Sequence, residues 1–141
     1  MSKVVVATGV FDVVHPGHIL FLNEAKKLGD RLVVIVARDK NVAKWKREPH
    51  IPEEQRRMVV EAFKPVDEAV LGEEAEVDFY KPILDIKPDI LVLGPNQKID
   101  EVEISKNLTA LGLETRVVRI DKIWKNPLAS SGRIINKIKN G

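Results

Sequence analysis

Three short runs of apolar residues, none of them alternating with polar residues, constrain the fold of this chain more than any other feature. They are Val4–Ala7, Leu32–Ala37 and Ile90–Leu93. A strand without a polar face has to be covered on both sides, and such strands occur almost only in parallel sheets that carry helices on both faces. The runs therefore predict an α/β protein.

Segments with helical features separate these strands. Gly17–Leu28 has apolar residues at every third position, which predicts a core-facing side made of Ile19, Leu22, Ala25 and Leu28, and it ends at Gly29-Asp30. Pro52–Phe63 begins with a proline and two glutamates, which favour a helix N-terminus, and its predicted buried stripe is Met58, Val59, Ala62 and Phe63. The remaining predicted elements are a polar, basic loop over Arg38–His50, strands over Ala69–Leu71 and Thr115–Arg119, and helices over Asp78–Asp85 (interrupted by Pro82), Glu101–Leu111 and Ser130–Lys139.

This alternation of strands and helices predicts a single domain over residues 1–141, with a Rossmann-like open parallel sheet of about five strands and helices on both faces. The chain has no cysteine, which excludes disulfide scaffolds and thiol chemistry. Its longest apolar run, Leu32–Ala37, is far shorter than the roughly 20 residues that a membrane helix needs. We therefore expect a cytoplasmic protein with no membrane partner.

The charged residues are unevenly distributed, although the formal net charge is only +2. Arg38–Arg47 contains five bases and one acid, and Lys122–Lys139 contains five bases and no acid. Two separate basic segments that converge on one small anion suit a nucleotide or a phosphate better than a polymeric nucleic acid. Each segment taken alone also fits a solvated surface.

In an open parallel sheet, ligands bind beyond the carboxyl ends of the strands. This rule directs attention to Thr8–His18 and Gly94–Gln97. The sequence has no dinucleotide glycine fingerprint, no phosphate loop of the GxxxxGK[ST] type, no HExxH motif and no GxSxG motif. A nicotinamide dehydrogenase, a P-loop ATPase and an α/β-hydrolase are therefore disfavoured.

Two histidines, His15 and His18, lie where a buried strand leads into a helix, with Gly17 between them. Gly17 permits close approach of the backbone to a ligand, the helix N-terminus offers unpaired N–H groups, and both imidazoles can donate to phosphate oxygens. This pattern predicts phosphate chemistry. The alternatives are a histidine N-cap, a chance pair, or a zinc site completed by His50; no acidic ligand is evidently placed with these histidines, so no residue is assigned to a metal.

The HxGH pattern of His15, Gly17 and His18, the preceding Gly9-Val10-Phe11-Asp12 and the later Glu54-Gln55-Arg56 resemble the small nucleotidyltransferases of the cytidylyltransferase-like superfamily. The resemblance covers essentially the whole chain. Class I aminoacyl-tRNA synthetases share the histidine motif, but they are much longer and carry a KMSKS-like segment that this chain lacks.

The resemblance implies a role for each matching residue. Those implied for catalysis are His15, His18 and Lys44. Those implied to bind the nucleotide are Thr8, Gly9, Val10, Phe11, His15, His18, Asn96, Ser130 and Ser131. Those implied to bind the acceptor or its phosphate are Asp12, Lys46, Arg56 and Arg133. The chain departs from the family pattern at Gly132, which replaces a hydroxyl residue, and at Ile135, which stands where a base is frequent. The resemblance also implies Mg²⁺, ATP or CTP, a phosphate-monoester acceptor, and a homodimer.

Within the superfamily, Lys64–Ala69 matches the usual cytidylyltransferase segment only in part, and Gly94-Pro95-Asn96-Gln97 replaces a GDDW-like segment. These segments are more similar to those of the archaeal-type FAD synthases, which implies transfer of AMP from ATP to FMN. The aromatic residues available to stack on a flavin are Trp45, Tyr80 and Trp124, each of which also suits a core position. The alternatives are a CTP-dependent cytidylyltransferase acting on glycerol 3-phosphate or phosphoethanolamine, a sugar-phosphate adenylyltransferase, and a nucleotide-binding module without turnover.

Overall fold

The computed structural model describes residues 2–45, 48–73, 79–95, 97, 100–121 and 130–140, and at positions 44 and 45 it describes the backbone alone. In chain order the elements are β1 (Val4–Gly9), α1 (Pro16–Lys26), β2 (Arg31–Val36), α2 (Asp39–Trp45), α3 (Glu53–Glu61), β3 (Glu68–Leu71), α4 (Lys81–Ile86), β4 (Ile90–Leu93), α5 (Glu101–Ala110), β5 (Arg116–Arg119) and α6 (Ser131–Asn140).

The five strands form one parallel sheet in the order β3-β2-β1-β4-β5. Its centre is almost entirely shielded from solvent: Val5, Val6 and Ala7 of β1 are all 0% exposed. The sheet confirms the parallel α/β fold predicted from the apolar runs.

Helices cover both faces of this sheet. On one face, Leu22 of α1 and Val60 of α3 pack against the side chains that alternate strand positions direct towards them. On the other face, Ile83 of α4 packs with Ile104 and Leu108 of α5. The predicted three-layer arrangement is therefore confirmed.

The chain reverses its direction of travel across the sheet between β1 and β4. From β1 it proceeds outward to β2 and β3, and then returns to place β4 on the other side of β1. Such a switch point opens a crevice beyond the carboxyl ends of the two central strands. The loops at this crevice are the one after Gly9 and the one after Leu93.

The segment Arg38–His50, predicted as a loop, contains helix α2 instead. The helix has only seven residues, too few for a hydrophobic period to be visible in the sequence. Tertiary contacts stabilise it, since Val42 is 1% exposed and the N–H of Asp39, its first residue, donates to Glu53 Oε1 at 3.0 Å.

The predicted buried stripe of α3 is wrong at Met58, Val59 and Ala62, whereas Phe63, which follows the helix, is partly buried and packs against the core. Met58 and Val59 are 58% and 43% exposed, and Ala62 is exposed as well. The buried side chains of α3 are Arg56 and Val60, one helical turn apart. A hydrophobicity pattern cannot place an arginine in the core, and it therefore assigned the wrong face of this helix to the core.

Other differences concern helix ends. The predicted helix Asp78–Asp85 is observed as Lys81–Ile86, and Pro82 lies in its first turn, where proline is tolerated, so it does not interrupt the helix. Ile19 of α1, predicted to face the core, is 43% exposed. No helix within the described ranges has the length and apolar content needed to span a bilayer.

Val59 and Val60 provide a matched test of the observed orientation of α3. Val60→Ala should lower the free energy of unfolding by about 2 kcal/mol, because it leaves a cavity at a fully buried position. Val59→Ala should change it by less than about 0.5 kcal/mol. Urea unfolding of the two variants measures both effects, and the equal change in helix propensity cancels between them. Equal losses would contradict the observed orientation.

Candidate active site

The loop between β1 and α1 turns sharply at Phe11, whose φ of 55° lies in the left-handed region that residues with a side chain rarely adopt. This turn folds the buried Phe11 ring back over Gly9, where an added Cβ would lie 2.7 Å from Phe11 Cε2. The same ring packs against His18, with 5.3 Å between the ring centroids. Gly9 thus leaves room for the Phe11 ring, and this ring restricts the position of the His18 ring.

His15 and His18 form a reciprocal cap on the N-terminus of α1. His15 is the N-cap residue, and its Nδ1 accepts the N–H of Gly17 at 3.0 Å. His18 lies at the third position of the helix, and its Nδ1 accepts the N–H of His15 at 3.1 Å. The two imidazoles lie side by side, with centroids 4.1 Å apart. The structure therefore brings together the two histidines singled out in the sequence.

These hydrogen bonds select one tautomer of each imidazole. A ring nitrogen that accepts an N–H carries no proton of its own, so the neutral rings of His15 and His18 hold their proton on Nε2. Each ring accepts from the backbone at one nitrogen and is a donor at the other. A donor of this kind suits an oxygen of a phosphate group.

The N-terminus of α1 was expected to offer unpaired backbone N–H groups to a ligand, but the structure shows these groups hydrogen-bonded within the protein. Pro16 has no N–H, Gly17 N–H donates to His15 Nδ1, and His18 N–H donates to His15 O at 2.9 Å. The amides at the start of α1 are therefore already paired. The positive end of the helix dipole polarises the imidazole of His15 through the hydrogen bond from Gly17, which strengthens Nε2–H as a donor.

Burial lowers the pKa of His15 below its ordinary value of 6.5. The neutral form is the one that the cap requires, since protonation of Nδ1 would place a proton against the Gly17 N–H. Desolvation and the cap thus act in the same direction, and both favour a neutral His15.

Arg56 does not face the crevice in this structure. The sequence analysis expected it to bind the acceptor phosphate, but its side chain is 0% exposed. Its Nε donates to Ile51 O at 2.8 Å, its Nη1 donates to Val10 O and Ala37 O at 2.8 Å each, and its Nη2 pairs with Asp39 Oδ1 at 2.5 Å. All three nitrogens of the guanidinium are therefore hydrogen-bonded to protein groups at the carboxyl edge of the sheet.

Asp12 was also expected to bind the acceptor substrate. It is buried, and its carboxylate accepts hydrogen bonds from the segment before α3. Its Oδ1 accepts the N–H of Ile51 at 2.9 Å, and its Oδ2 accepts the N–H of His50 at 3.1 Å. His50 Nδ1 lies 3.3 Å from the same oxygen. The third histidine of the chain is therefore paired with Asp12, and no group of three metal-ligating side chains is found among the described residues to form the zinc site considered above.

The C-terminal helix begins against the same loop. Ser131 Oγ donates to Val13 O at 2.5 Å, which places the start of α6 beside the β1–α1 loop. Ser130 Oγ accepts the N–H of Arg133 at 3.1 Å and so caps the helix. Ile135 is buried, so an apolar residue suits this position. Ser131 thus contacts the loop that leads from β1 to the two histidines.

Two residues without a role in the sequence analysis organise the loop after β4. Gln97 Oε1 accepts the N–H of Gly94 at 2.7 Å, while its Nε2 donates to Thr8 Oγ1 at 3.2 Å and thereby joins the ends of β1 and β4. Arg119 Nη1 donates to Gly94 O at 2.6 Å and to Gln97 O at 2.8 Å. Arg119 is the last residue of β5 and lies at the carboxyl edge of the sheet. A charged residue at the end of a predicted strand could have marked it as a residue of the site.

Several candidate residues lie partly or wholly outside the described residues. Lys44 and Trp45 belong to α2, but their side chains are not described, and Lys46, Asn96 and Trp124 lie outside the described residues altogether. Tyr80 packs against the core on the α4–α5 face, and its hydroxyl accepts from Asn107 Nδ2 at 2.9 Å.

Within the described ranges, no three side chains among His, Cys, Asp and Glu are grouped so that they could hold a metal ion. The donors that the histidine loop offers to a ligand are the Nε2–H groups of His15 and His18. Such a set is suited to binding oxygen atoms of an anion.

The chain is similar to known proteins over nearly its whole length. The family model described as cytidylyltransferase-like matches residues 6–137. The chain is 57% identical to an FAD synthase of Ferroglobus placidus over 136 residues, which cover 96% of this chain and 88% of that protein. It is 54% identical to an FAD synthase of Archaeoglobus fulgidus over 132 residues, which cover 94% of each chain.

A solved structure also resembles the chain closely. The lipopolysaccharide core biosynthesis protein of Thermoplasma volcanium superposes with a TM-score of 0.83 at 44% identity, over 86% of this chain and 98% of that one.

The tautomer and pKa of His15 can be measured directly. Nitrogen-detected NMR of protein labelled in its histidines, with His15→Gln for assignment, should show the proton on Nε2 and a titration midpoint below 6.5. Because the unfolded chain takes up this proton at higher pH than the folded one, the stability contributed by His15 is complete above pH 6.5. It is lost as the pH falls from that value through the lowered pKa. A midpoint above 6.5 would contradict the proposed environment.

Proposed function

The chain belongs to the cytidylyltransferase-like family, and from this premise we propose that it is an FAD synthase, a nucleotidyltransferase that transfers AMP from ATP to FMN. The products are FAD and pyrophosphate. The observation that carries the choice of substrates is the 57% identity to the Ferroglobus placidus FAD synthase over 96% of this chain.

The reaction forms one phosphorus–oxygen bond and breaks another. An oxygen of the FMN phosphate attacks the α-phosphorus of ATP, and the bond between that phosphorus and the oxygen bridging to the β-phosphate breaks. The attacking oxygen is already anionic, so no general base has to remove a proton from it. Positioning of the two phosphates and stabilisation of charge are sufficient, which fits a site built from hydrogen-bond donors and basic residues.

His15 and His18 are the residues that we propose to stabilise the charge. Their Nε2–H groups would donate to the α-phosphate as its geometry changes and to the departing pyrophosphate. The cap supports this role because it fixes both rings before substrate arrives, so no reorganisation is needed during the reaction. Phe11, packed against His18, further restricts that ring.

The remaining contacts proposed for the nucleotide come from the backbone of the β1–α1 loop and from the loops beside it. Thr8, Gly9 and Val10 lie at the end of β1, and Ser130 and Ser131 lie at the start of α6. Asn96, which is outside the described residues, is proposed as a further nucleotide contact because it precedes Gln97 in the sequence. Lys44, Lys46 and Arg133 are proposed to add positive charge near the phosphates of the two substrates.

Nucleotidyltransferases of this kind generally use a divalent metal ion, and we propose Mg²⁺ here. The described donors beside the crevice suit phosphate oxygens rather than a cation, and Asp12 is occupied by backbone N–H groups. Mg²⁺ would therefore be held mainly by the phosphates of ATP and by water, as its preference for oxygen ligands allows. When bound, it neutralises part of the phosphate charge.

A homodimer and a cytoplasmic location, both expected from the sequence, stay predictions. The proposed partners are ATP and FMN, with no nucleic acid.

The direct test of this function is a competition between nucleotides. Purified protein is incubated with Mg²⁺, FMN and equimolar ATP and CTP, and the flavin products are separated by chromatography. FAD should be the single new flavin, and omission of Mg²⁺ with added chelator should stop its formation. A cytidine-containing flavin product would favour the CTP-dependent alternative. If no flavin dinucleotide forms, the acceptor is another phosphate monoester, or the chain binds nucleotide without turnover.

Substitutions at His18 separate its cap from its role in transfer. His18→Asn keeps an acceptor near the position of Nδ1 but has no donor at the position of Nε2. It should lower kcat on the order of 10²- to 10³-fold and change the free energy of unfolding by less than about 1 kcal/mol. Steady-state kinetics and urea unfolding measure the two effects, with Lys27→Ala, at the exposed C-cap position of the same helix, as control. A large loss of stability with full activity would show that the histidine is purely structural.

A further inference from the structure

The guanidinium of Arg56 bridges the two ends of the segment that contains α2. The segment leaves β2 at Ala37 and reaches α3 after Ile51. Arg56 binds both of its ends: Nη1 donates to Ala37 O and Nε donates to Ile51 O, both at 2.8 Å. The same Nη1 donates to Val10 O, in the loop that leads to His15. One side chain therefore joins both ends of the α2 segment to the histidine loop.

The start of α2 is fixed by a second set of bonds around the same side chain. Asp39, its first residue, pairs through Oδ1 with Arg56 Nη2 and accepts the Glu53 N–H through Oδ2 at 3.3 Å. Glu53, the first residue of α3, accepts the Asp39 N–H at 3.0 Å. Each helix thus caps the other. Arg38 completes the cluster, since its Nη1 donates to Glu53 Oε2 and its Nε donates to Gly72 O at the end of β3.

The chemistry of the cluster favours a geometric role for Arg56. A buried charge is costly unless it is paired and hydrogen-bonded, and a helix that needed only packing here would carry an apolar residue. The planar guanidinium offers donors in fixed directions that a lysine cannot reproduce. Here those directions reach backbone oxygens at Val10, Ala37 and Ile51, which belong to different loops of the carboxyl edge.

We propose that Arg56 is a positioning residue for nucleotidyl transfer, which fixes α2, and with it Lys44, relative to the loop of His15 without touching either substrate. The inference rests on the proposed function, since it assigns to Lys44 a part in the same reaction. It replaces the expectation that Arg56 binds the acceptor phosphate.

Arg56→Lys tests this role, because it keeps a positive charge and removes the fork of donors. It should lower kcat by about 10²-fold, the loss that a displacement of a reacting group by about 1 Å can cause, with little change in KM for ATP or FMN. Arg57→Lys, the next residue on α3, is the matched control, because Arg57 pairs with Glu54 and Glu61 of the same helix and donates to Ala69 O of β3, none of which belongs to α2 or to the histidine loop. A rise in KM for FMN with kcat preserved would overturn the proposal in favour of direct phosphate binding.

A double-mutant cycle distinguishes positioning from general loss of structure. Lys44→Ala should lower kcat in the wild-type chain and lower it much less in the Arg56→Lys background, because a displaced Lys44 already contributes little. In the Arg57→Lys background the full effect of Lys44→Ala should persist. Equal effects of Lys44→Ala in all three backgrounds would show that Arg56 does not act through α2.

Two further measurements keep the result interpretable. If Arg56→Lys does not fold, Asp39→Asn weakens the same pair and should give the same cycle with a smaller loss. Hydrogen exchange, which needs no turnover, should show faster exchange in α2 of the Arg56→Lys variant than in the wild type, and unchanged exchange there would overturn the proposal. Absence of FAD synthesis by both the wild type and Arg57→Lys would refute the proposed function, whereas the exchange result would still report on Arg56.

Discussion

The reciprocal cap between His15 and His18 is the interaction on which the candidate site depends. A helix N-terminus leaves backbone N–H groups without partners, and in this chain the two imidazoles meet that need. The cap fixes the position of both rings and sets their tautomers. It also links the positive end of α1 to the Nε2 donors, so the same bonds that begin the helix prepare the site for an anion.

Around the cap, the loops at the carboxyl edge of the sheet are joined by polar side chains, of which Asp12 and Arg56 are buried. Arg56 and Asp12 connect the histidine loop to the segments on either side of α2, and Gln97 with Arg119 connects the end of β1 to the loop after β4. A loop fixed by hydrogen bonds of defined direction is positioned more accurately than one held by hydrophobic contact alone. The sheet provides the crevice, and these side chains determine the shape of its rim.

The sequence predicts those parts of the molecule that depend on local apolar patterns. The buried strands, the parallel sheet and the histidine pair follow from runs and spacings that need no knowledge of tertiary structure. Helix α2 and the buried face of α3 do not follow, because both depend on Arg56 and its distant partners Asp39, Val10 and Ile51. Gln97 was missed for the same reason, since its amide matters only once β1 and β4 are neighbours.

The central claim is that phosphate groups of a nucleotide bind at the Nε2 atoms of His15 and His18. The most direct measurement is a crystal structure of the chain with Mg²⁺ and α,β-methylene ATP, an analogue whose α,β bond cannot be cleaved. Phosphate oxygens should lie within hydrogen-bond distance of both Nε2 atoms, roughly 2.7–3.2 Å, with the Nδ1 contacts to Gly17 and His15 unchanged. A nucleotide bound elsewhere, or bound with its phosphates turned away from the two imidazoles, would contradict the claim.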